Sequence, residues 1–135
     1  MNAMTLKKTF SSLLLSSSLL LAASVAYAHE DAPQAPQHGG LVTEAASGHT
    51  AELSLAGGML MVYLRDHEGA PLDSTGAQAE VTLLSGSTKQ VLALAPSGAN
   101  SWMAQGAYQA VAGSKAVLKL TLPGKSAELF RFVLP

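Results

Sequence analysis

The sequence predicts an all-β domain, an immunoglobulin-like β-sandwich of seven or eight short strands, preceded by a signal peptide and a flexible arm. Three observations predict it. Apolar and polar residues alternate with period two in one run after another from residue 41 onward. Turn-forming clusters of Gly, Pro, Asn, Asp and Ser interrupt these runs about every eight to twelve residues. Beyond the N-terminal segment, no window sustains a helical period.

Residues 1–28 read as a signal peptide. Lys7 and Lys8 give a positive start, and Phe10 to Val25 form an apolar, serine-rich run. Ala26-Tyr27-Ala28 then supplies small residues at the cleavage positions. The run is short and serine-rich for a membrane span, and no stop-transfer pattern follows; a retained N-terminal anchor is the weaker alternative. The chain has no cysteine, which excludes a lipid-modified cysteine at the cleavage site. The expectation is export to a bacterial periplasm with no stable membrane insertion after cleavage.

Residues 29–37, HEDAPQAPQ, carry two prolines and no apolar period, as a flexible arm does. Residues 38–135 form the sandwich domain, of ordinary size for a single hydrophobic core. His38-Gly39-Gly40 leads into a short strand, Leu41 to Glu44, and Ser47-Gly48 makes a turn. From His49 to Leu55 the alternation is clean, with Ala51, Leu53 and Leu55 on one face and Thr50, Glu52 and Ser54 on the other. Gly57-Gly58 suits the positive φ angles of a tight hairpin turn. The chain returns from Met59 to Arg65, with Leu60, Val62 and Leu64 in phase and Met59, Met61 and Tyr63 opposite.

Asp66-His67-Glu68-Gly69-Ala70-Pro71 is a charged turn, followed by a loop to Gly76. Gln78 to Leu84 and Lys89 to Leu94 form a second hairpin about Ser85-Gly86-Ser87. Ser101 to Gly106 is a short strand carrying the single tryptophan. Lys115 to Leu122 and Glu128 to Val133 close the chain around the turn Pro123 to Ser126. The period-two phase nominates Leu53, Leu55, Leu60, Val62, Leu64, Val81, Leu83, Leu118, Leu120, Phe130 and Phe132 as core.

Charge and motif narrow the function. Lys7 and Lys8 are two of only eight basic residues, so without them the nine acidic residues leave the domain net negative. With no basic cluster, neither nucleic acid nor anionic lipid is an expected partner. No serine lies in a nucleophile elbow, and there is no HExxH and no glycine-rich phosphate loop. Catalysis is therefore not expected, since a nucleophile, a base and an orienting group have no visible way to converge.

Metal binding needs only donors that can meet. Imidazole suits copper, zinc and nickel, and thioether suits Cu(I). The candidate ligands are His29, His38, His49, His67, Met59 and Met61, with Glu30, Asp31, Asp66 and Glu68 nearby, for a copper or zinc ion. Their spacing matches no zinc-finger motif. Each has a plainer reading: His38 and His67 as solvated loop residues, His49 as a cap on the core edge, and the two methionines as gap fillers. What favours metal is coincidence, because every histidine falls within residues 29–67 beside Met59-x-Met61. Cleavage after Ala28 would also make His29 the first residue. Its free α-amine, with an ordinary pKa of about 7.7–8.0, and its imidazole could then chelate one Cu(II).

The stretches HGGLVTE, HTAELSL, GGMLMVYLRDHEGAPLD, AEVTLLSG and LPGKSAELFRF together span most of residues 38–133. The pattern resembles the histidine-glycine-glycine β-sandwich domains near the N-terminus of some periplasmic adaptor subunits of heavy-metal efflux pumps, and small stand-alone periplasmic proteins of the same type. His38, Gly39 and Gly40 match the motif residue by residue, followed by a Glu-bearing strand and the Asp66-to-Pro71 turn. The resemblance implies periplasmic metal handling, with an efflux-system component as partner, and carries over no ligand set. No coiled-coil hairpin or lipoyl-like domain follows, so the chain is not itself expected to be a pump adaptor. The rival reading is a non-catalytic envelope interaction module with no metal site.

Overall fold

The computed structural model describes residues 34–55, 58–104, 108–109 and 111–135. The expected signal peptide, His29 and the first residues of the arm lie outside them. Eight strands follow in chain order: β1 (Leu41–Glu44), β2 (Thr50–Ser54), β3 (Met61–Arg65), β4 (Gln78–Ser85), β5 (Thr88–Pro96), β6 (Ser101–Ala104), β7 (Lys115–Thr121) and β8 (Glu128–Val133). The domain is all-β, with no α-helix among the described residues.

All eight strands belong to one antiparallel sheet, ordered β1-β2-β3-β6-β5-β4-β7-β8. β6 is hydrogen-bonded on both sides and joins two four-strand halves, β1-β2-β3-β6 and β5-β4-β7-β8. The sheet curls until β1 comes alongside β8, so it is nearly closed and both halves share one core. Near-closure leaves little of the unpaired edge that makes open sheets prone to further pairing.

The core follows the period-two phase. Leu53, Leu60, Val62, Leu64, Val81, Leu83, Leu118, Leu120, Phe130 and Phe132 are buried, and Leu55 packs partly buried against them. Trp102 on β6 is fully buried opposite Val62, filling the junction of the two halves. Leu92, Leu94, Ala116 and Leu134 complete the cluster.

Two local features differ from expectation. The last β2–β3 pair is Ser54↔Met61, so the pairing ends short of the expected two-residue turn, whose Gly57 lies outside the described residues. The β4–β5 hairpin does close tightly: Ser85 faces Thr88 across Gly86-Ser87, with Gly86 at φ 57°. The second difference concerns β2, whose five residues are all buried, polar ones included. Ala51 and Leu53 face the core as expected, and a further layer of chain covers the other face.

Candidate functional site

That covering layer is residues 34–40, in and just after the stretch expected to be a flexible arm. Its anchor is Glu52, at the centre of β2. The carboxylate accepts three backbone N–H bonds: from Gln37 at 2.9 Å, from His38 at 2.7 Å and from Gly40 at 3.0 Å. Glu52 is 0% exposed, a burial that an acidic side chain tolerates only when its oxygens are satisfied. Burial alone would raise its pKa. The three N–H donors, together with the charge His38 can carry, outweigh that and hold the carboxyl below its ordinary 4.5.

The His-Gly-Gly motif takes its form from this clasp. Gly39 turns the chain with φ +68°, a conformation that costs a side-chain-bearing residue. Gly40 passes so close to β2 that a Cβ there would lie 2.8 Å from the carbonyl carbon of Leu53 and 3.0 Å from Cγ of Glu52. His38 lays its imidazole on the ring of Tyr63, centroids 3.6 Å apart and planes within 10°. Tyr63 pairs with Glu52 across the β2–β3 ladder, so His38 and Glu52 belong to one outer face.

One row towards the end of the ladder the face is held by polar contacts. Arg65, 5% exposed, donates from Nη2 to the Ala35 carbonyl at 3.1 Å. Gln34 donates from Nε2 to the Asp66 carbonyl at 2.9 Å. Asp66 also organises the charged turn, its Oδ1 accepting from Glu68 and Ala70 N–H groups at 2.9 Å each. His67 projects from this turn, its side chain 69% exposed, with Nε2 4.0 Å from Glu68. It lines an open cleft of about 560 Å³ shared with Gln34, Glu44 and Arg65.

His49 does something else. Its Nδ1 lies 2.9 Å from Glu128 Oε2 and 3.0 Å from Oε1, linking the start of β2 to the start of β8. The pair is part-buried and spans the seam where the sheet nearly closes. His49 and His67 thus stand at the Arg65 end of β3, whereas Met59 and Met61 stand at its other end. His29 lies outside the described residues.

Of the donors named from sequence, the described ones, His38, His49, His67, Met59 and Met61, do not gather as one set. Among the described residues, no three His, Asp or Glu side chains approach closely enough to hold a metal ion. Two do share a surface: His38 over Tyr63, and Met61 two residues along the same face of β3. Neither ring nitrogen of His38 is hydrogen-bonded among the described residues. Sequence reasoning missed Glu52 and Tyr63. Glu52 carried one signal, a carboxylate in mid-strand, but nothing in its spacing tied it to the glycine pair. The chain matches no family model, no curated protein and no solved structure.

Proposed function

We propose that this is a periplasmic accessory or carrier protein that binds a transition metal, copper or zinc, in the service of metal resistance or efflux. The observation that carries the reading is His38. Its backbone is fixed by Glu52 and its ring is oriented by Tyr63, while neither ring nitrogen is hydrogen-bonded among the described residues, on the face that also bears Met61. A pre-oriented imidazole loses less freedom on binding than a free loop histidine would. The four histidines do not act together in this reading, because His49 is engaged by Glu128 and His67 lies at the far end of β3. Cleavage after Ala28 would give His29 a free α-amine, which with its imidazole offers a further pair of donors. The likeness to the His-Gly-Gly domains of efflux adaptors supports the efflux setting.

A docking module without a metal site is the second reading. It is favoured by Leu84, Val91, Leu129 and Val133, exposed on the outer face of β5-β4-β7-β8. Calorimetric titration of residues 29–135 with Zn(II) and Cu(II) separates the two. Metal binding predicts weaker affinity in His38→Ala, and affinity that falls from about pH 7.5 to 5 as protons compete for imidazole. Equal, weak, pH-indifferent binding in wild type, His29→Ala and His38→Ala would leave the docking reading.

A further inference from the structure

We infer that Met59, Met61 and Met103 form a thioether site for a monovalent soft cation, Cu(I) or Ag(I), with Met103 an essential member. The inference rests on the metal-binding reading and names the ion and a ligand for it. It starts from a register that the sequence does not reveal. Met61 on β3 pairs directly with Met103 on β6, forty-two positions away in the chain. Side chains of directly opposed residues share a face, with Cβ atoms about 4.5–5.5 Å apart. The pairing runs on past the strand end, where the Ala104 N–H donates to the Leu60 carbonyl at 2.9 Å. Leu60 is buried in the core, and Met59, just before it in the connection that enters β3, is half exposed.

Composition sharpens the point. The chain has five methionines, and Met1 and Met4 belong to the segment expected to be removed. Of those that remain, Met61 and Met103 are directly opposed across β3 and β6, and Met59 lies two residues before Met61 in the chain. None is a core residue: Met59 is 50% exposed, and Met61 and Met103 are half-buried. The neighbouring core positions are filled by Leu60 just before β3, Val62 on β3 and Trp102 on β6 instead. Gap filling, the usual use of methionine, therefore does not account for where these three stand.

The chemistry selects the ion. The sheet row through this site reads Ser54, Met61, Met103, Ala95 and contains no charged side chain. Uncharged, polarizable sulfur favours a soft monovalent ion and offers little to Zn(II) or Cu(II). Thioethers do not titrate, so binding here stays flat over the pH range in which an imidazole ligand is lost. The plainer alternative is that Met61 and Met103 simply cover one another as an apolar cross-strand pair.

The test uses residues 29–135 with methyl-labelled methionine, titrated with Ag(I) and separately with Zn(II). Ag(I) is expected to shift all three methionine methyl resonances in NMR spectra, and Zn(II) none. In competition with a chromophoric Cu(I) chelator, Met61→Leu and Met103→Leu should each lose at least the roughly tenfold that loss of an outer-shell partner costs a metal site. Leucine conserves volume, so the circular dichroism of both variants should match wild type. Methyl resonances that ignore Ag(I), or a Met103→Leu variant that binds Cu(I) as tightly as wild type, overturn the inference. If Zn(II) or Cu(II) still binds through His38 in that case, the metal-binding reading survives it. If no metal binds at all, both fall.

Discussion

Glu52 and Glu80 occupy equivalent places in the sequence pattern and opposite ones in the molecule. Each sits in mid-strand, flanked by core residues, and each points to the outer face of the same sheet. Glu52 is fully buried; Glu80, opposite Ala93 and Lys119, is exposed. The strands themselves do not make the difference. Residues 34–40 cross the outer face of β2 and β3 and bring three N–H donors to one carboxylate, whereas among the described residues Glu80 stays exposed on β4. Alternation reports which face turns to the core. It does not report whether the other face meets water or more chain.

The largest effects should fall on the inner face, which both halves share. Leu120 and Val62 are each fully buried, one on either side of the β6 junction. Leu120→Ala is expected to cost about 2–5 kcal/mol, and Val62→Ala somewhat less. Denaturant midpoints measure both. Midpoints equal to wild type at both positions would mean that the faces are reversed, since a one-residue slip exchanges them.

The contrast between the outer faces should appear at the next scale down. Glu52→Gln keeps one acceptor oxygen but turns an amide N–H towards a backbone N–H, and is expected to cost about 1–3 kcal/mol. Glu80→Gln should stay within about 0.5 kcal/mol of wild type, as exposed substitutions do. Acid sharpens the comparison. Because the folded pKa of Glu52 lies below 4.5, the unfolded chain takes up the proton first as pH falls. The stability the clasp contributes is therefore fully present above the ordinary carboxyl pKa and is lost as pH drops through the folded value. Wild type and Glu52→Gln should differ at neutral pH and converge in acid. A constant gap between wild type and Glu52→Gln at every pH would show that the clasp does not depend on the charge.

These contrasts mark what could be read from the sequence. Strand positions and the core phase were legible because each strand's inner face keeps period two, from Leu53 to Phe132. The turns around Gly86 and Asp66 were legible because their chemistry is local. The candidate site was legible in part. His38, Met59 and Met61 stand out by residue type, but their neighbours do not. Glu52 reaches the His-Gly-Gly segment through folding, and Met103 reaches Met61 through strand pairing between distant segments. Both contacts are set by topology, and strand order leaves no trace in alternation. The reverse held for His49, which shares the phase of Ala51 and Leu53 yet is tied by Glu128 at the seam.

An effect smaller than that of Glu52→Gln separates structure from function at His38. Its backbone N–H serves Glu52 whatever the side chain is, so a substitution there leaves the clasp in place. What His38→Ala removes is the stack on Tyr63, worth about 0.5–1.5 kcal/mol for an aromatic pair. His38→Phe restores a flat ring over Tyr63 but offers no nitrogen. Its thermal midpoint should return towards wild type, while Zn(II) and Cu(II) affinity stays at the level of His38→Ala. Thermal scans and metal titrations on the same three proteins give both readouts. If phenylalanine restores neither, the imidazole is held by something other than its ring face. If it restores stability and metal affinity together, His38 is a packing residue and the ligand nitrogen lies elsewhere. The split outcome is the one expected, because stacking uses the face of the ring and ligation uses its edge.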